Sequence, residues 1–167
     1  MKNIALELAT IEQKELVANL MEKYEYEFSQ YTKSTMNESG LYGCIDWIDT
    51  YWQDEERRQY IVRVDGKLAG FALIRGSEND NIDFYIEEFF IIYDYRKQGV
   101  GQFVVNYLLG QHKGHWALVY TPRNLPAAKF WPKVIGEYTG GKYKIFENNP
   151  NIVYDDGTLG TGLSFES

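Results

Sequence analysis

Two neighbouring features of this sequence could do chemistry. One is a pair of adjacent carboxylates, Glu87 and Glu88, in an otherwise apolar run; the other is the loop Arg96-Lys97-Gln98-Gly99-Val100-Gly101 that follows it. The run reads as a strand, and the residues after the loop as a helix beginning at Gly101. The first N–H groups of a helix have no partner inside it, and the helix dipole places partial positive charge there, so such a corner favours phosphate. Gly99 and Gly101 would let a pyrophosphate approach the main chain. Arg96 and Lys97 add two positive charges to a chain whose net charge is −7. A Walker loop is excluded because Gly-Lys-Ser/Thr is missing, and the dinucleotide fingerprint because Val104 stands where a small residue is needed. On the loop alone, an ordinary strand–helix turn that uses glycine for its backbone angles fits equally well.

The carboxylates are out of place in an apolar strand. Successive strand residues face opposite ways, so regular alternation puts Glu88 on the face of Phe90 and Ile92. A bulge would shift that phase and leaves Glu87 open as well.

The elements that must position these groups follow from hydrophobic periodicity. A strand is expected at 4–8, then a helix that follows Thr10 and runs to about Phe28, and a second short helix carrying Trp47, Ile48, Tyr51 and Trp52. Strands at 59–64 and 67–75 are joined by Asp65-Gly66, a type I′ hairpin signal. The strand at 82–93 carries the carboxylates. Beyond the loop, Val100, Val104, Tyr107, Leu108 and Gln111 mark a helix, and the nearly all-apolar run 116–121 reads as a buried strand. Asn124 caps a further helix with Pro126 in its first turn, and that helix should bend or break at Trp131-Pro132. Closing strands are expected at 142–146 and 159–165. This order describes a mixed α/β sheet rather than a βαβ array, in one domain covering 1–167.

The loop and its flanks resemble motif A of the GNAT superfamily of N-acetyltransferases, Arg/Gln-x-x-Gly-x-Gly/Ala after the fourth strand. Asn124-Leu125-Pro126-Ala127-Ala128-Lys129-Phe130-Trp131 resembles the family's next block. The resemblance extends coarsely over the whole chain. It implies the GNAT fold: a mainly antiparallel sheet with flanking helices, its fourth and fifth strands splayed at a bulge to hold acetyl-CoA as co-substrate. The pyrophosphate would then lie on the loop from Arg96 through Gln102. Main-chain groups of Phe89, Phe90 and Ile91 would hold the pantetheine arm and the thioester carbonyl, and Asn124 would contact the co-substrate or simply cap its helix. Acetyl transfer to an amine needs a base, because an amine with a pKa of about 10 is almost wholly ammonium at neutral pH. Glu88 is the first candidate and Glu87 the second; a structural or ammonium-binding carboxylate is the alternative. Many family members carry a tyrosine where this chain has Trp131. Indole cannot protonate a departing thiolate, so Trp131 reads as a cleft wall or core, and Tyr120, Tyr138, a water or no acid at all would complete the transfer.

The expected acceptor is a small-molecule or peptide primary amine. Tyr24, Glu25, Tyr26, Glu27, Tyr31, Trp47 and Trp52 would suit a cationic one, although ordinary packing explains them as well. The alternative to an enzyme is a non-catalytic acyl-CoA-binding module on the same fold. The acidic balance argues against nucleic acid as a partner. No apolar run is long enough to span a membrane, and the first residues lack a secretory signal. Cys44 is the sole cysteine, which fits a cytosolic protein. With His112 and His115 it makes too sparse a set for a zinc site, so no metal is expected. A homodimer is compatible with the sequence and not required by it.

Overall fold

The computed structural model describes residues 2–77 and 81–167. Seven strands form one sheet: β1 (Ile4–Leu8), β2 (Arg57–Val64), β3 (Lys67–Gly76), β4 (Phe84–Ile91), β5 (His115–Tyr120), β6 (Tyr143–Val153) and β7 (Leu159–Glu166). Their spatial order is β1-β2-β3-β4-β5-β7-β6, antiparallel except for the parallel β4–β5 pair. Four helices flank it: α1 (Lys14–Thr32), α2 (Cys44–Gln53), α3 (Val100–Gln111) and α4 (Leu125–Thr139). The expected order of elements and the mixed sheet are therefore both present.

The helices cover two faces. Val17, Met21, Ile48 and Tyr51 of α1 and α2 pack on Phe71, Leu73 and Phe90. On the other face, Val104, Leu108 and Ile135 of α3 and α4 pack on Ile74, Trp116 and Leu163. Each fully buried aliphatic or aromatic side chain contributes about 1.5–3 kcal/mol, so both layers are held firmly. Asp65 and Gly66 have φ of 50° and 77°, the left-handed pair that a type I′ turn requires.

Several boundaries differ from expectation. α1 runs on to Thr32 and stops where Lys33 adopts φ 62°, its N–H bonded to the Ser29 carbonyl at 2.8 Å. β4 ends at Ile91, because Tyr93–Tyr95 winds into a 3-10 turn closed by Tyr95 N–H to the Ile92 carbonyl at 2.9 Å. α3 starts at Val100, one residue earlier than expected, with Gly99 as its cap at φ 81°. α4 does not break at Pro132: the proline forfeits one ladder bond, while buried Trp131, Val134 and Ile135 hold the helix to the sheet. β5 is buried on one face only: Trp116 and Leu118 are covered, but Val119 is 49% exposed because α1 and α2 do not reach that far across the sheet.

Candidate active site

β4 and β5 pair over only three residues, Phe84 with Trp116, Tyr85 with Ala117 and Ile86 with Leu118. Past Ile86 the two strands part. The cause lies on the other side of β4: Leu73 faces Glu88 and Ile74 faces Ile86, so Glu87 is an extra residue with no partner on β3. Such a bulge bends the strand that carries it, and here it turns β4 away from β5.

Gly70 fixes how closely β4 approaches β3 beyond the bulge. A Cβ there would sit 2.0 Å from the Phe90 carbonyl oxygen. Gly70→Ala should therefore destabilise the protein by about 1–3 kcal/mol in urea unfolding, as overpacking does. An unchanged midpoint would show that β4 is not pinned at this point.

The ladder also decides which main-chain groups reach the gap. Ile92 N–H bonds to the Ala69 carbonyl at 2.8 Å, and antiparallel pairs alternate between bonded and open. Phe90 therefore turns its main-chain groups to β3, whereas Phe89 and Ile91 turn theirs toward the splay. The Ile91 carbonyl is occupied by Arg96 Nε at 2.7 Å, which leaves the Ile91 N–H and both groups of Phe89 on that edge.

In the glycine loop, none of the N–H groups of residues 97–102 has a hydrogen-bond partner among the described residues. Around Gly99 no atom lies within 4 Å of the position a Cβ would take, so its main chain is open. Gly101 is there for packing: the Phe130 ring comes to 3.1 Å from where a Cβ would be. Arg96 points inward. Its guanidinium grips Glu27 of α1 through two bonds of 2.6 and 2.7 Å, so the positive charge left open on this loop is that of Lys97. The Gln102 side chain is engaged with Glu137 of α4 at 2.6 Å. Asn124 caps α4 by accepting from Ala127 N–H at 3.1 Å, a contact of the kind worth about 1 kcal/mol.

The bulge places both carboxylates on the α1–α2 face, and they meet opposite fates. Glu87 accepts from the Tyr51 hydroxyl at 2.5 Å and from Arg75 Nε at 2.8 Å, with Arg57 at 3.6 Å. That is a structural node. Glu88 has no cationic partner among the described residues. Burial pushes its carboxyl up to about 7, and the charges of Glu25 and Glu87 add to the rise, while the Tyr24 hydroxyl pulls it down. Glu88 keeps partial contact with solvent, so the group can exchange a proton.

Phe89, Phe130 and Trp131 pack as a trio with ring centroids 5.0–5.7 Å apart, and Trp131 is 7% exposed; it forms a wall that carries no exchangeable acid. Tyr138 accepts from Lys113 at 2.9 Å, at the end of α3 remote from the loop. Tyr154, in the turn after β6, is a neighbour that the sequence reading does not single out: burial and then the charge of Glu88 push its phenol up to about 12. Arg123 steadies this turn, bonding both Asp156 and the Tyr31 carbonyl. Sixty-six positions separate Tyr154 from Glu88, and no local pattern marks it.

A sheet opened at one bulge, with free main-chain donors at the mouth of the opening, is the architecture of an acyltransferase. Residues 14–136 match the model of the acetyltransferase (GNAT) family, and the chain belongs to that family. An acetyltransferase from Thermus thermophilus superposes with a TM-score of 0.71 at 15% identity, covering 99% of this chain and 97% of that one. A histone acetyltransferase HPA2-related acetyltransferase from Corynebacterium glutamicum gives 0.72 at 13% identity, covering 96% and 94%. A spermidine N-acetyltransferase chimera from Vibrio cholerae and hSSAT gives 0.64 at 10% identity, covering 98% and 95%. At these identities the likeness is one of fold. No curated protein matches this sequence.

Proposed function

We propose that the protein transfers an acetyl group from acetyl-CoA directly to a primary amine in a ternary complex, with Glu88 as the base. The observation that carries this reading is the Glu88 carboxyl: paired with no cation among the described residues, raised to about 7, and beside the point where β4 leaves β5. A general base works best with a pKa near the working pH, and this one meets that condition.

The residues present fit the co-substrate. The open N–H groups of residues 97–102 and the free charge of Lys97 suit a pyrophosphate, with Asn124 at the adjoining helix start. The free edge of Phe89 and Ile91 suits an extended pantetheine arm, laid against β4 as an added strand would be. Acetyl-CoA supplies an activated thioester there. An Ile91 or Phe89 N–H aimed at its carbonyl would stabilise the oxyanion. Glu88 takes the proton from the acceptor ammonium, directly or through one water, and the freed amine attacks. The carbon–nitrogen bond forms, the carbon–sulfur bond breaks, and CoA leaves as a thiolate, a good enough leaving group to do without the missing tyrosine; the thiolate then takes the second proton from the acylated nitrogen and departs as the free thiol.

A covalent route through the protein is disfavoured: Cys44 is buried and its thiol is pushed up to about 12 by burial, then by Glu22. Tyr24, Glu25, Phe28 and Tyr154 cluster about Glu88, and an aromatic and acidic surround of this kind suits a cationic amine. Among the described residues no helix is long and apolar enough to cross a membrane. A cytosolic setting, supported by the single cysteine, belongs to this reading.

The test is an amine panel with acetyl-CoA, following release of free CoA. Acetylation of at least one amine is expected, and acetyl-CoA at 100 times its dissociation constant should add about 2.7 kcal/mol to stability. Stabilisation by acetyl-CoA with no amine ever acetylated would favour a non-catalytic acyl-CoA-binding module.

A further inference from the structure

The reaction scheme leaves unused one side chain that faces the base. Tyr24 lies on α1 with its ring held from three sides: Phe28 stacks on it at 5.3 Å, and Phe71 and Phe90 meet it edge-on at 5.8 and 5.9 Å. Phe90 lies two residues beyond Glu88 on the same face of β4, so a ring fixed over Phe90 lies on the side of the strand that carries the Glu88 carboxyl. The groups around Glu88 come from every element packed on it: Tyr24 and Glu25 of α1, Tyr51 of α2, Glu87 of β4 and Tyr154 of the turn after β6. Tyr51, Arg57 and Arg75 are all committed to Glu87. Glu25 and Glu87 only repel. Tyr154 is coupled to Glu88 through charge and not through a hydrogen bond, which leaves the Tyr24 hydroxyl as the group placed to donate to Glu88.

We propose that Tyr24 is the positioning residue of Glu88, its hydroxyl donating to one carboxylate oxygen and so fixing which oxygen is left to take the acceptor's proton. The proposal rests on the reading of Glu88 as base. The chemistry is suited to the task. Burial, and then the Glu88 charge, hold the phenol well above its ordinary value of 10, so Tyr24 stays a donor across the working range. A hydrogen bond to the ionised form favours that form and offsets part of what burial does to Glu88.

Tyr24→Phe removes the hydroxyl and keeps the ring. The carboxyl ¹³C resonance of Glu88, identified by its loss in Glu88→Gln, should titrate higher in Tyr24→Phe than in the native protein, by about 0.7 pH unit, the equivalent of one net hydrogen bond. The acidic limb of kcat/KM should move up by the same amount. A purely structural Tyr24 would lower stability and leave both midpoints in place, and a midpoint that stays or falls overturns the proposal. Should Tyr24→Phe fail to fold, Tyr24→Met removes the same hydroxyl and is read in the same way. The underlying assignment fails separately: if Glu88→Gln retains native activity, Glu88 is not the base, whatever the resonance does.

Discussion

Glu88→Gln should lower kcat by about 10²–10⁴-fold, the usual contribution of a placed general base, while acetyl-CoA binding stays near native. Native kcat/KM should rise as pH climbs through about 7, because only ionised Glu88 accepts a proton, and this limb should vanish in the variant. The same substitution should stabilise the fold at high pH. The folded-state value of about 7 lies above the ordinary 4.5, so between these values the native protein holds a proton that the unfolded chain has released. Stability therefore falls as pH rises from about 4.5 to 7, and the loss is complete above 7. The full shift corresponds to about 3 kcal/mol, an upper bound because Glu88 keeps some contact with water. At pH 8 the glutamine variant should resist urea better than the native protein, and below pH 4.5 the difference should close. Native-like turnover in the variant, or a native profile flat through pH 7, would sink the assignment.

Glu87→Ala should behave in the opposite way, costing about 2–3 kcal/mol in urea unfolding at pH 7. It removes the acceptor from the Tyr51 hydroxyl and from two guanidinium groups at once, and breaking such a node by removing one partner is the expensive direction. The estimate sits at or below the low end of the range for fully buried pairs because Arg57 and Arg75 are 22% and 35% exposed and can turn to water. Removing the Glu87 charge should also move the acidic limb of Glu88 slightly down, since that charge helps to hold it up. A loss below about 0.5 kcal/mol would mean that the network is not structural. Together the two substitutions separate neighbouring carboxylates by readout: one lowers rate and raises stability, the other mainly lowers stability.

The closing hairpin shows how far the linear pattern reaches. Strands were legible at 142–146 and 159–165 from alternation, yet β6 runs to Val153 through two register shifts, because pairing with β7 carries it past Asn148 and Pro150. The same boundary separates what was legible at the site from what was not. Asp65-Gly66, the Asn124 cap, the apolar stripe of α3 and the loop's glycines are local instructions, each satisfied within a few residues of itself, and the order of elements follows from them. That Glu87 and Glu88 share one face depends on a bulge set by pairing with β3, which no window on β4 contains. Arg96 reads as a phosphate ligand until Glu27, 69 positions away, takes its guanidinium. Tyr154 is brought to Glu88 by a turn that Arg123 steadies from another part of the chain. Short-range torsional and capping preferences are written in the chain order itself; proximity of buried charges exists only once the sheet has closed, and it is proximity that makes one glutamate a structural anchor and its neighbour a candidate base.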